Sequence, residues 1–348
     1  MAEKLGFGII GAGAIAGFHA RAVAESRGGR LIGVASRRLS AAQAFATEHG
    51  LGFATENVEE LLSQPGLDAV CITTPSALHL APAIAAIRAG KHLMIEKPLD
   101  ATVEGTDRIL REAEKAGVRV GSIFQARFGD AARRIKAAID GGRFGRLVLA
   151  SCYVKWYRTA EYYTGWKGKL AEDGGGALIN QAIHGVDLLQ WFAGMPVEVF
   201  AWTTQRVHRI ESEDTCVAAL RFGSGAFGTI EATTAAWPGW SRRIEICGEH
   251  GSVLLEDDDI AKWEFRVEQA GDAEIRNPPR RAEMGSGAAA PMNINFEGHL
   301  RQIQDFIDGV REKRPFYIEG AEARKAVALV RAIYQSAATG KPARPDGA

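Results

Sequence analysis

Residues 5–16 read LGFGIIGAGAIA, and the fold follows from them. Leu5 to Ile10 is a short apolar run of the kind buried on both faces of a parallel sheet. Gly11, Gly13 and Ala16 come directly after it at the G-x-G-x-x-G/A spacing. The first small residue permits a tight turn, the second lets a diphosphate approach the main chain, and the third lets the next helix pack closely on the strand. Ala14 and Ile15, opening that helix, bring N–H donors and the positive end of the helix dipole to the same place. The pattern is weak alone. It gains weight because it follows the first strand, opens a helix and precedes a second strand at the distance a dinucleotide-binding βαβ unit needs.

Working outward, RLIGVAS, DAVCITT, HLMIE and RVGSIF read as further strands. Helical patterns lie between them at Ser40 to His49, Ala77 to Ala89 and Val103 to Ala116, and Gly90 and Gly117 are suited to closing the last two. This alternation predicts an α/β doubly wound domain over residues 1–124. After Phe124 it stops. A helix is expected near Asp130 to Asp140, a strand from Arg146 to Lys155, and a glycine-opened helix from Gly175 to Phe192. From Val197 to Val267, EVFAWTTQRV, DTCVAALRF, AFGTIEATTAA, RRIEICG, GSVLLED and AKWEFRVE follow one another with turns between, as in an antiparallel meander. Residues 125–348 are therefore expected to form a second α/β domain on an open, mainly antiparallel sheet. Glu274 to Ala290 reads as a loop. Phe296 to Val310 and Ala321 to Ser336 read as closing amphipathic helices that are candidates for packing back on the first domain.

A chain of 348 residues exceeds what one core usually organises. Lysine plus arginine equal aspartate plus glutamate at 42 each, which leaves no field to attract nucleic acid or an anionic membrane. The cysteines Cys71, Cys152, Cys216 and Cys247 are far apart in apolar surroundings, without zinc or redox spacing, so no metal is expected and a cytoplasmic setting is. Leu5 to Phe18, behind Lys4, superficially resembles the apolar part of a signal peptide, but its glycines stand at turn spacing. No run reaches the roughly 20 apolar residues that span a bilayer.

Three places carry chemistry. At the end of the second strand stand Ser36, Arg37 and Arg38, where NAD-selective folds carry an acidic residue. Arginine there suits a 2′-phosphate, so NADP is favoured and NAD is the alternative. Glu96 and Lys97 stand at the end of the strand HLMIE and point to opposite faces, one of them toward the ligand side at the carboxyl ends of the strands. A partly desolvated lysine can have its pKa lowered into the range useful for proton transfer. In DGGGALINQAIHGVDLL, Asn180 and His184 are spaced i, i+4, with Asp187 one turn further on. The three glycines before them are read as letting a substrate or cofactor approach the backbone.

GAGAIA, TTPSALHLAPAIAAIRAGKHLMIEKPL, DGGGALINQAIHGVDLL and VALVRAIYQSAATGKP together resemble the glucose-fructose oxidoreductase, inositol dehydrogenase and rhizopine-catabolism (Gfo/Idh/MocA) family along essentially the whole chain. The resemblance implies a Rossmann domain, an open-sheet domain through which a homodimer or homotetramer commonly forms, and metal-free hydride transfer at a carbon bearing a hydroxyl or carbonyl. It makes Lys97 the catalytic lysine and His184 the active-site histidine. Thr74, Pro75, His79 and Glu96 would line the cofactor, and the Lys97–Pro98 bond would be cis. Lys167 would contact substrate with Tyr163 and Trp166 beside it, and Gln125 and Arg127 would lie at the domain junction. Asn180 departs from the aspartate many members carry; an amide takes no proton, so it is expected to orient substrate or Lys97.

The expected activity is hydride transfer between a nicotinamide and a hydroxyl-bearing carbon of a sugar, sugar derivative or cyclitol, with Lys97 or His184 moving the proton. Of the aromatic residues Trp156, Tyr157, Tyr162, Tyr163, Trp166 and Trp240, only Tyr163 and Trp166 are kept as sugar contacts. Two rivals stand beside this reading. A dinucleotide sensor would have no need of Lys97 and His184, and an NAD-dependent glycosidase would oxidise its substrate transiently with no net change in cofactor.

Overall fold

The computed structural model describes residues 4–276 and 296–347. The chain forms two units, Met1–Gln125 with Asn295–Arg324, and Ala126–Ile294 with Lys325–Ala348.

The first unit carries six strands, β1 (Leu5–Ile10), β2 (Gly29–Ala35), β3 (Phe53–Thr55), β4 (Ala69–Ile72), β5 (His92–Ile95) and β6 (Val120–Ser122), in the spatial order β3-β2-β1-β4-β5-β6. All neighbours are parallel. The order reverses direction at β1, which puts a ligand crevice beyond the carboxyl end of that strand. The helices are α1 (Ala14–Glu25), α2 (Leu39–His49), α3 (Val58–Leu62), α4 (Leu80–Arg88) and α5 (Val103–Ala116). Every residue of β1 is buried, as befits a strand covered on both faces. α2 and α5 stop where Gly50 and Gly117 turn left-handed, at φ 65° and 66°. Phe7, Ile9, Ala16, Ala20 and Val23 share a core with Ile303, Phe306 and Ile307, residues of the long helix Phe296–Arg311 near the end of the chain. Burying one such aromatic or branched side chain contributes roughly 1.5–3 kcal/mol. β3 and α3 were not expected from the sequence.

The second unit is built on α6 (Asp130–Asp140), β7 (Leu147–Lys155), α7 (Leu170–Asp173), α8 (Ile183–Ala193), β8 (Pro196–Thr204), β9 (Thr215–Phe222), β10 (Phe227–Thr233), β11 (Arg243–Gly248), β12 (Gly251–Glu256), β13 (Asp259–Phe265) and α9 (Asp272–Arg276). Its seven strands run in the order β13-β12-β11-β7-β10-β9-β8. They form two meanders, with β7 inserted between β10 and β11 and parallel to β10. The expected simple meander is thus a mixed, mostly antiparallel sheet. α8 lies close on it, since a Cβ at Gly185 would come within 2.5 Å of Cys152 Sγ. The helix expected from Gly175 starts instead with one π-helical turn, Ala177–Ala182, before α8. Of the loop expected at Glu274 to Ala290, the first three residues end α9 and 277–290 lie outside the described residues. α10 (Phe296–Arg311) and α11 (Gly320–Thr339) complete the chain.

Candidate functional site

In the first unit, Gly11 takes φ 103°, a conformation L side chains rarely adopt, and a Cβ there would lie 2.9 Å from the Thr73 main chain. Its N–H donates to Ala35 at 2.8 Å, and Thr73 Oγ1 donates to its carbonyl at 2.7 Å. Turn, β2 and β4 are thereby tied together. Gly13 caps α1 with no side-chain partner, and a Cβ on it would meet nothing within 4 Å. Ala16 is fully buried. The glycine turn therefore presents open space and the first amides of α1, a cradle that fits a dinucleotide diphosphate. Ser36, Arg37 and Arg38 follow β2 directly, with Ser36 half-buried and both arginines exposed. No carboxylate stands among them.

At the end of β5, Glu96 is buried, and its Oε1 lies 2.8 Å from His19 Nε2 of α1. Its Oε2 accepts the main-chain N–H of Lys97 at 3.1 Å. Burial alone would raise the Glu96 pKa, but the hydrogen bond from His19 and the charges of His19, Lys97 and His299 hold it well below the usual carboxylate range. Burial likewise pushes His19 down, yet its contacts with Cys71 and Glu96 outweigh this and keep the ring protonated. The pair is a buried ion pair. Lys97 is half-buried, and the Lys97–Pro98 bond is cis.

His79 is fully buried. Nδ1 lies 2.9 Å from the Pro98 carbonyl and Nε2 lies 3.0 Å from that of Thr74. Burial lowers its pKa against both contacts, and a neutral ring donates to only one carbonyl. His79 clasps the loop carrying Thr74 and Pro75 to the one that follows Lys97, so it shapes the ligand side from within. Gln125 is half-buried at the end of the unit.

In the second unit the three glycines have packing reasons, which corrects the sequence reading of them. Gly174 ends α7 with φ 80°. A Cβ on Gly175 would meet the Tyr334 hydroxyl at 2.4 Å, and one on Gly176 would meet the Glu213 carbonyl at 1.8 Å. The buried Glu213 carboxylate accepts the N–H groups of Gly176 and Leu178 at 3.0 and 2.9 Å, starting the π turn. Arg127 forks around Asp187, with bonds of 2.7 and 2.6 Å between fully buried side chains. His184 is half-buried on α8. Tyr163 donates to Thr234 Oγ1 at 2.7 Å, and burial, set against that bond, pushes its pKa up to about 12.

Tyr162 occupies the more connected position. Lys167 Nζ sits 3.7 Å from its ring centroid and 6.0 Å from that of Trp166. The Tyr162 hydroxyl donates to Asn180 Oδ1 at 3.3 Å and accepts from Gln181 Nε2 at 2.6 Å. Arg158 donates to Gln181 Oε1 at 2.8 Å, and Asn180 Nδ2 donates to the buried Asp173 at 2.5 Å. Sequence reasoning missed His19, Arg158, Asp173 and Gln181 and set Tyr162 aside. A signal existed for His19 alone: it falls on the α1 face of Ala16, Ala20 and Val23, where a buried imidazole needs a partner. Among the described residues no group of three or more His, Cys, Asp or Glu side chains is placed to hold a metal, and no helix is long and apolar enough to cross a membrane.

Residues 5–124 match the oxidoreductase family with an NAD-binding Rossmann fold, and residues 132–254 match the GFO/IDH/MocA C-terminal domain. A 1,5-anhydro-D-fructose reductase from Ensifer adhaerens is 30% identical over 87% of this chain and 92% of its own length. An inositol 2-dehydrogenase from Rhizobium meliloti is 27% identical over 95% and 96%. The WlbA dehydrogenase from Bordetella pertussis, solved in complex with NADH and UDP-GlcNAcA, superposes with a TM-score of 0.88 at 33% identity, covering 99% of this chain and 98% of that one.

Proposed function

The chain belongs to the Gfo/Idh/MocA oxidoreductases, a family with an NAD-binding Rossmann fold, and from that premise we propose that it transfers a hydride between a nicotinamide cofactor and a hydroxyl-bearing carbon of a sugar, sugar derivative or cyclitol. The observation that carries this is Lys97: it follows a parallel strand at the ligand end of the sheet, and its neighbour Glu96 is already neutralised by His19. Glu96 Oε2 accepts the Lys97 main-chain N–H and so fixes the backbone beside the lysine, whose amine can exchange a proton with a substrate hydroxyl. Lys97 and His184 are the proton-transfer residues of this reading. Gly11, Gly13, Ala14, Ile15 and Ala16 hold the diphosphate, while Thr74, Pro75 and His79 shape the wall beside it.

The nicotinamide, when bound, accepts or gives the hydride; the protein aligns the substrate and moves the proton. Asn180, Tyr162 and Lys167 supply the polar and aromatic surface a sugar ring requires, and relatives that act on anhydrofructose and inositol support that substrate class. Residues 1–124 are assigned the cofactor and 125–348 the substrate, except that Asn295–Arg324 belongs with the cofactor unit. We assign NADP(H) as the preferred cofactor because Arg37 and Arg38 stand where a ribose-binding carboxylate would exclude a 2′-phosphate. A homo-oligomer fits the open sheet. Leu149, Phe227, Val217 and Trp202 share its solvent face, being register partners in pairs, and each is exposed. The free cysteines suit a cytoplasmic setting.

The test is the absorbance of reduced cofactor with the purified protein, against a panel of sugars, nucleotide sugars and cyclitols and with NAD and NADP separately. Turnover that disappears in Lys97→Ala while cofactor affinity is kept supports the reading. Tight cofactor binding with no turnover on any substrate overturns it.

A further inference from the structure

We infer that Asp173 is a positioning residue that fixes the direction of a hydrogen-bond chain running through the candidate substrate surface. This rests on the dehydrogenase reading above. The chain has five members: Arg158 donates to Gln181, Gln181 to Tyr162, Tyr162 to Asn180, and Asn180 to Asp173. At one end stands a guanidinium, which can only donate; at the other stands a carboxylate, which when ionised can only accept. Gln181, Tyr162 and Asn180 between them can each do both, so the two ends decide which way every proton points.

The decision is local and strict. Asp173 Oδ1 faces Asn180, and its Oδ2 already accepts the Gly168 N–H at 2.8 Å. Asn180 must therefore turn its NH2 toward Asp173 and its carbonyl oxygen toward the Tyr162 hydroxyl and Gln181 Nε2, both donors to it. The Tyr162 proton is thereby committed to Asn180, and the phenol oxygen keeps acceptor character in the place where Lys167 covers the ring. Burial, with the Asp173 charge adding to it and Arg158 opposing, raises the Tyr162 pKa, so the hydroxyl keeps its proton. With Asp173 only 1% exposed and Asn180 only 8% exposed, water does not readily replace a lost partner.

Three variants test this. N180D sets two carboxylates at hydrogen-bond distance, where one must take up a proton. D173N sets an amide before two donors, Gly168 and Asn180, and can accept well from only one. The exchange D173N/N180D restores these bonds: the amide at 173 accepts from Gly168 and donates to the carboxylate at 180, which still accepts from Tyr162 and Gln181. Melting midpoints at pH 5 and pH 8 and kcat/KM across that range are the readouts. We expect each single variant to melt lower at pH 8 by on the order of 5 °C, with N180D regaining its midpoint at pH 5. Each should also lose roughly 10²-fold in kcat/KM, and the double variant should recover both quantities. Singles that match wild type at pH 8, or a double variant no better than either single, overturn the inference. A double variant that recovers its midpoint but not its kcat/KM leaves the pairing standing and overturns the positioning role. If the wild type turns over no substrate, the dehydrogenase reading falls and the positioning role with it, while the melting series still judges the pairing.

Discussion

His19 Nε2 and Glu96 Oε1 lie 2.8 Å apart in the core of the nucleotide-binding unit, joining α1, whose first turn forms the glycine cradle, to the residue before Lys97. The second Glu96 oxygen accepts the Lys97 N–H. One carboxylate thus links the cofactor helix to the backbone of the candidate proton-transfer lysine.

Removing the Glu96 charge takes away much of what keeps His19 protonated, so burial favours the neutral ring and the attraction of the pair is lost. Glu96→Gln should destabilise the protein by about 1–3 kcal/mol, read by urea unfolding, and should lower kcat more than it raises KM. A change under about 1 kcal/mol would show that the pair carries no more than a surface contact does.

The pair also predicts a pH window. The Glu96 pKa is lowered from its ordinary 4.5, so its contribution is present above that value and is lost as pH falls toward the depressed one. The His19 pKa is raised from its ordinary 6.5, so its contribution is full below 6.5 and is lost as pH rises toward the raised one. Wild type should therefore exceed Glu96→Gln in stability by most between pH 4.5 and 6.5, with the gap narrowing on both sides. A gap independent of pH contradicts the assignment.

The two turn glycines should respond differently to a methyl group. Gly13→Ala adds a Cβ into open space at φ −87°, so the melting midpoint should hold while the dinucleotide Kd rises at least about tenfold, roughly 1.4 kcal/mol. Gly11→Ala forces an unfavourable φ and a clash with Thr73; it should cost roughly 1–3 kcal/mol of stability. Fluorescence titration and thermal melting separate the two effects.

Arg37→Ala with Arg38→Ala should reduce kcat/KM for NADP relative to NAD by about tenfold or more, since an Arg–phosphate contact is charge-assisted. An unchanged ratio would locate cofactor choice elsewhere.

Oligomerisation through the open sheet is tested by Phe227→Arg with Trp202→Glu, two changes at side chains 58% and 62% exposed. Light scattering should show the assembly falling to monomers with melting of the isolated subunit retained. An unchanged mass excludes this face as the interface.

The first sheet was legible because β1, the glycine turn and three alanine-rich helices carry strong local patterns. β3 and α3 were not, because three and five residues are too few to show a period of 2 or 3.6. The insertion of β7 beside β10 was hidden for another reason: strand partners distant in the chain leave no mark on either strand. The same contrast holds at the site. Gly11, Gly13, Glu96 and Lys97 stand in motifs whose spacing has a mechanical cause. Asp173, Arg158 and Gln181 look like ordinary polar residues until folding brings them to Tyr162 and Asn180, and of the triple glycine, read as an opening for ligand, Gly175 and Gly176 are explained by Tyr334 and Glu213 while Gly174 closes α7.

Direct hydride transfer from the substrate carbon to the nicotinamide is followed with deuterium. A substrate found in the panel would be labelled at its carbinol carbon, turned over with oxidised cofactor, and the reduced cofactor examined by mass spectrometry and NMR. One deuterium is expected at C4 of the nicotinamide, with slower turnover than with the unlabelled substrate. Deuterium kept on the sugar product, or lost to solvent, with no accumulation of reduced cofactor would contradict it.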